Sequence, residues 1–476
     1  MTATSTDNGT TTRSAAVSPA AWGGRSEKAV ALTDVRNMVK AGAIDTVLLA
    51  LPDLQGRLKG KRYDAGHFLK RVAHYGAEMC AYTLATDVEM SPADGFALTS
   101  WETGYQDVTV QPALGTLRVV PWMPRTAIVI GDAAHHDGTL IKIAPRQVLH
   151  HQLARLARRG LHPQVGIETE FVLYQGTYAE AEQAGYQGLR PVTTENLDYA
   201  LDHDPVCDRF FRRLQRALAG AGMPVEAIKT ESGPGQVEVT FPYGDALAAC
   251  DQHLLFKHAV RTLGSRAGLA PTFMAAPETG RANGLHLHVS LWSKAISQLH
   301  VLGSDQALSP TGRQAVAGLL DGLPELGLLY APNVNSYKRF APGSFAPTTF
   351  SWGWDNRTCA VRVVGRGEGL HLEIRVPGAD ANPYLALAAV VAAIDHGIEH
   401  QLPLGPAETG SAYGGSGTPV PASLADALAV FQTSVVAQNA FGTEVVEHYA
   451  RLARLELDHH EGLVTDAERQ RWLARA

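Results

Sequence analysis

The sequence predicts an α+β protein in two parts, a small mixed-sheet domain followed by a larger one where long helices alternate with short strands. Two observations carry this. TVLLALPDLQGRLKGKRYDA (46–65) reads as strand, turn, strand, with Pro52, Asp53 and Gly56 supplying the turn chemistry. From APRQVLHHQLARLARRG (144–160) onward, amphipathic helical spacing alternates with short runs of period two.

Residues 1–28 are rich in Thr, Ser, Ala and Gly and lack an apolar core, so they read as a disordered tail and not a secretory signal. Leu32 to Ala43 reads as a short helix, and HFLKRVAHYG (67–76) has helical spacing. TLRVVPW (116–122) and TAIVIGDA (126–133) read as strands. The small domain is therefore placed at 29–138 and the large one at 139–476. Helices are expected over 145–160, 205–222, 244–267, 310–329, 380–400 and 422–456. LGPAETGSAYGGSGTPVPAS (404–423) reads as a surface loop.

The 476 residues are 45% hydrophobic and 18% charged, a globular balance, and the net charge of -6 is mild. No basic stripe points to nucleic acid. The longest apolar run, Tyr384 to Ala393, is too short to span a bilayer and reads as a buried helix. Cys80, Cys207, Cys250 and Cys359 show no paired spacing, which fits a reducing compartment. A cytoplasmic location is expected.

The chemistry lies on strands that are apolar on one face only. In GIETEFVLY (166–174), Ile167, Thr169, Phe171 and Leu173 share one face, while Glu168 and Glu170 share the other. In GPGQVEVTF (233–241), Glu238 takes the polar face, and Glu231 lies just upstream. NGLHLHVSLW (283–292) sets His286, His288 and Ser290 opposite its leucines, and HLEIRVPG (371–378) alternates Glu373 and Arg375 with apolar residues. In NRTCAVRVV (356–364), Arg362 stands between Val361 and Val363. Any one of these is most simply a solvated strand face. Together, five carboxylates and two imidazoles point to one cavity holding divalent cations, Mg²⁺ or Mn²⁺. Arginines beside such a site suit carboxylates and phosphates, and the combination points to phosphoryl transfer.

These segments resemble the glutamine synthetase family. GIETEF, ESGPGQVE (231–238), HLHVS (286–290), NSYKR (335–339), NRTCAVR (356–362) and LEIRVPGADANPYL (372–385) are similar to six of its motifs, in order, over a resemblance that runs from about residue 30 to the C-terminus. The resemblance implies an N-terminal β-grasp domain and a catalytic domain whose curved antiparallel sheet, flanked by helices, forms a metal-lined funnel. It implies a homo-oligomeric ring, usually two stacked hexamers. Carried over, it assigns Glu170, Glu231 and Glu238 to one metal and Glu168, His286 and Glu373 to a second. It places His288 and Ser290 by the nucleotide. Arg339 and Arg375 are placed on the glutamate carboxylates, with Gly284 in the loop beside glutamate. Arg357 and Arg362 are placed on the transferring phosphoryl group and the ATP phosphates.

Three departures fall where the amine binds. The Asp of the family's D-G-S-S segment falls near Cys80 or Ala81, in EMCAYTLATD (78–87). The flap glutamate, six residues past Arg339, is Phe345. The family's N-G-S-G-M-H reads Arg281-Ala282-Asn283-Gly284-Leu285-His286. Ammonium needs anionic partners, and a pocket without them suits an amine with a carbon skeleton. Trp352 and Trp354 are candidates for its wall, with core packing the equal alternative. The expectation is an ATP-dependent ligase joining the γ-carboxylate of glutamate to ethanolamine or a polyamine through γ-glutamyl phosphate. The absence of an obvious spare acid mildly favours ethanolamine, although Asp87, Glu89 or Asp94 would serve a polyamine. The alternatives are a true glutamine synthetase, a non-catalytic ring on the same fold, or a ligase for a glutamate analogue.

Overall fold

The computed structural model describes residues 29–293, 299–304 and 307–476; the tail expected at 1–28 lies outside them. Strand, turn, strand holds at Thr46–Pro52 and Leu58–Asp64, paired antiparallel. The turn forms because the Asp53 carboxylate accepts from the amides of Gln55 and Arg57, while Gly56 takes a left-handed φ of 71°. Thr46–Pro52 also pairs in parallel with Thr126–Ala134, which continues to Asp107–Pro112 and Ala77–Cys80. The helical stretch 65–75 buries Phe68, Leu69 and Val72 in the core.

The second sheet has ten strands. Its main path runs Trp352–Trp354, Val361–Val364, His371–Ile374, Leu285–Ser293, Leu161–Gln175, Gln236–Thr240, Ala227–Thr230. It departs from the expected all-antiparallel sheet at one edge, where Trp352–Trp354 and Val361–Val364 run parallel. The intervening loop carries Asp355 in a left-handed conformation, which Asp tolerates better than most residues.

The long helices begin where residue chemistry starts helices. Asp204, Ser309 and Asn382 each precede a proline, and their side chains accept amides of the first turn in Pro205–Gly220, Pro310–Gly322 and Pro383–Glu399. Pro310–Gly322 and Pro383–Glu399 approach through glycines: a Cβ on Gly318 would lie 2.2 Å from the Ala393 carbonyl. Two expected helices are shorter than their periodicity suggested. The one at 310–329 ends at Gly322, before Pro324, and gives way to a 3₁₀ stretch Leu323–Leu329. The one at 422–456 is three helices: Leu424–Thr433, Val435–Phe441 and Thr443–Glu461. Ser434 breaks the first join by capping the Ala437 amide, and Gly442 (φ 77°) breaks the second.

The sheets dock closely. Asn382 donates to the carbonyls of Asp53 and Leu54, and buried Arg146 bridges Asp132 and Asp251. One hydrophobic core runs through both.

Candidate active site

The sheet register assembles the site. Directly opposed residues of paired strands share a face. His286 lies opposite Glu168, Glu170 opposite Glu238, and Glu238 opposite Lys229. On the other flank, His288 and Arg362 each lie opposite Glu373. Because residues i and i+2 of a strand also share a face, these pairs merge into one polar surface.

Among the described residues two groups of donor atoms result, each with its members within 4.8 Å: Glu168, His286 and Glu373, and Glu168, Glu170 and Glu238. Glu168 belongs to both. Its Oε1 lies 2.6 Å from His286 Nδ1, and its Oε2 lies 3.4 Å from His288 Nε2. Burial works against its charge, but these imidazoles hold its carboxyl well below the usual range. Glu373 is likewise buried, yet Arg375, His286 and His288 bring it down to about 2. Arg362 Nη1 donates to one of its oxygens at 2.7 Å, and Arg375 donates to the other.

At the opposite end the acids are crowded together. Burial raises Glu170, and the Glu231 charge adds to the rise. Burial and then the neighbouring Glu168 push Glu238 up to about 10. Carboxyls crowded this way share a cost that a divalent cation would remove, so the donor set and its strain both fit such an ion.

Glu231 is not part of either donor group. Its carboxylate is bonded by Lys229, whose ammonium also lies 3.7 Å from Glu238 and 3.5 Å from Asp198. Lys229 was missed from the sequence, although it stands two residues before Glu231. His371 was also missed. Its Nε2 lies 3.1 Å from His288 Nδ1, and it sits two residues before Glu373 on the same strand face.

His288, Ser290 and His371 line a cavity of about 390 Å³ with Glu168, Phe241 and Tyr243, next to the donor groups. Gly284 lies at the junction with the arginines. Its amide donates to Glu170 at 2.7 Å, and a Cβ there would lie 2.5 Å from His286 Nε2 and 3.0 Å from Arg339. Arg339 is 3% exposed and donates to the carbonyls of Val376 and Arg375. Burial lowers its guanidinium to about 10, and its Nε has no protein partner.

Arg375 reaches the flap as well, donating to the Phe345 carbonyl at 3.4 Å. Phe345 is 58% exposed in a left-handed backbone (φ 57°), an unfavourable conformation for an aromatic residue. The side chains of Arg357 and the tryptophans are not drawn into the donor groups. Arg357 is exposed and lines a groove with Trp354 and Glu408; only its carbonyl, accepting from Arg375, joins the network. Trp352 is 7% exposed and donates to the Gly405 carbonyl, so packing, not a pocket wall, accounts for it. Arg281 pairs with Glu278 three residues earlier. Cys80 Sγ lies 3.3 Å from the Tyr105 carbonyl.

Residues 142–472 match the glutamine synthetase catalytic domain. Over 442 residues the chain is 45% identical to a gamma-glutamylethanolamide synthetase of Streptomyces coelicolor, covering 93% of this chain and 95% of that one. It is 33% identical to a glutamate–isopropylamine ligase of a Pseudomonas species, covering 92% and 97%. A solved structure of a GmaS/ADP complex superposes with a TM-score of 0.80 at 29% identity, covering 93% of this chain and all of that one. Fold and matches define an ATP-dependent carbon–nitrogen ligase. The chain belongs to the glutamine synthetase family, whose members use ATP and divalent metal ions.

Proposed function

We propose that this enzyme joins the γ-carboxylate of glutamate to a short organic amine, ethanolamine before a polyamine, through γ-glutamyl phosphate. The observation that carries the reading is Phe345. The flap segment APGSFAPTTF (341–350) contains no carboxylate, and Phe345 presents an exposed aromatic ring where relatives using ammonia carry an acid. An ammonium ion loses its hydration there without an anionic partner, whereas an alkylamine gains apolar contact. The Streptomyces relative named for ethanolamide synthesis supports the same choice.

Glu168, His286 and Glu373 would hold one Mg²⁺ or Mn²⁺, and Glu168, Glu170 and Glu238 a second. Such ions supply neutralisation of the phosphate charge during transfer. His288 and Ser290 line the cavity that suits the nucleotide. Arg339, with an unpartnered Nε and with its Nη2 beside Gly284, and Arg375 hold glutamate. Arg362 and Arg357 bear on the phosphoryl group, the latter after its exposed side chain turns inward. We place the enzyme in the cytoplasm as a ring of two stacked hexamers; among the described residues, no helix is long and apolar enough to cross a membrane.

The test is phosphate release from ATP with glutamate and Mg²⁺, measured with each of a panel of amines. Release with ethanolamine that depends on all three other components is expected. Nucleotide binding without turnover on any amine would favour the non-catalytic ring instead.

A further inference from the structure

Arg339 and Arg375 reach the site from different segments, and both are almost wholly buried, at 3% and 5% exposed. Arg339 closes the six-residue 3₁₀ stretch Val334–Arg339, a conformation whose hydrogen bonds are poorly aligned and which needs outside support. Arg375 follows directly on the strand His371–Ile374. One side chain ties the two segments together. Asp380 Oδ2 accepts from Ser336 Oγ at 2.6 Å and from Asn333 Nδ2 at 3.0 Å. Ser336 Oγ in turn accepts from the Asn333 amide at 3.1 Å, so Asp380 holds the start of the 3₁₀ turn through two residues at once. Arg339 completes the circuit by donating to the carbonyls of Arg375 and Val376. Lys257 donates to the carbonyl of Ala379, next to Asp380.

The other oxygen, Asp380 Oδ1, is buried without a protein partner. It occupies space left by a glycine: a Cβ on Gly378 would lie 2.5 Å from it. Gly378 forms an isolated bridge with Gly284, whose own Cβ would lie 3.0 Å from Arg339 Nη2. The carboxylate and the guanidinium therefore lie against the two members of one glycine pair. A carboxylate withdrawn from water is stabilised only by what it binds, and both hydrogen bonds of Oδ2 go to the segment that carries Arg339.

We propose that Asp380 is a positioning residue for glutamate: it locks the Arg339 segment against the Arg375 segment, so that the two guanidinium groups meet the substrate at a fixed separation. It touches no reacting atom and acts through Ser336 and Asn333. This rests on the reading of Arg339 and Arg375 as the groups that hold glutamate, and deepens it by naming what sets their spacing. Ser336 is 2% exposed, so losing Asp380 leaves its hydroxyl without that acceptor where water does not reach, and the turn relaxes. The loss falls on glutamate more than on the nucleotide, whose proposed cavity is lined by His288, Ser290 and Tyr243 on other segments.

The test is phosphate release with glutamate and ATP varied in turn, at saturating Mg²⁺ and the best amine of the panel, alongside the melting temperature of the assembled protein. Asp380→Ala is expected to raise the KM for glutamate about tenfold while the KM for ATP stays within about twofold. Asp380→Asn keeps an acceptor oxygen for Ser336 and Asn333, and is expected to bring the glutamate KM back to within about threefold of wild type. Ser336→Ala removes one bond and little volume. It is expected to raise the glutamate KM about threefold, and it carries the test if D380A does not fold. A folded D380A protein with the wild-type KM for glutamate overturns the proposal. So does one in which the KM values for glutamate and ATP rise together, the sign of a merely structural role, or an S336A protein whose glutamate KM does not move. Arg339→Gln checks the underlying reading separately: an unchanged glutamate KM in R339Q would remove Arg339 from the glutamate site itself, whatever D380A does.

Discussion

Glu168 belongs to both donor groups, with His286 2.6 Å from one of its oxygens and His288 3.4 Å from the other. Replacing it by Gln keeps the shape and removes the charge. E168Q is expected to lower kcat/KM by about 100-fold or more and to weaken Mg²⁺ binding, both measurable by phosphate release over a Mg²⁺ titration. Gly284 is constrained in another way. Gly284→Ala puts a methyl group 2.5 Å from His286 Nε2, so it is expected to cut activity by at least about tenfold while the fold survives, as read by circular dichroism. Lys257 tests burial away from the donor groups. Burial, with Arg261 beside it, lowers its ammonium to about 7 from 10.5. Folding therefore favours its neutral form. That stability is fully present above pH 10.5 and is lost as pH falls through 7. The melting temperature of Lys257→Met, taken relative to wild type, is expected to rise as pH is lowered from 9.5 to 6. A flat difference would show that the ammonium is not desolvated as its surroundings imply.

At the scale of elements, alternation on strands placed the site, because a period of two leaves little freedom about which residues share a face. That is why Glu168, Glu170, His286, His288 and Glu373 were legible and do converge. What alternation cannot show is which strands become neighbours. Lys229 meets Glu238, and His371 meets His288, only through pairing across the sheet. Trp352 read equally well as pocket wall and as core, and its hydrogen bond to the Gly405 carbonyl decides for core. The helix expected at 422–456 kept its apolar spacing across two breaks, so periodicity alone hid Ser434 and Gly442. Ser434 caps Val435–Phe441 and also donates to Glu325 at 2.5 Å. Ser434→Ala is expected to cost about 1–2 kcal/mol, measured by denaturant unfolding of the assembled protein.

Across the whole molecule, the main hydrophobic core runs through both large sheets, and the two donor groups fall on the polar face of the larger one. The α+β class and the order of strands and helices followed from helical and period-two spacing and from turn chemistry such as that of Pro52, Asp53 and Gly56. The docking of the small sheet through Asn382 and Arg146 did not, since neither residue differs locally from a surface polar group. The proposed choice of an organic amine over ammonium rests on Phe345 at the flap. It is tested most directly by kcat/KM for ethanolamine against kcat/KM for ammonium in the wild type and in Phe345→Glu. A clear preference for ethanolamine is expected in the wild type, shifted toward ammonium when the flap regains a carboxylate. Turnover with ammonium equal to or better than ethanolamine in the wild type would contradict it.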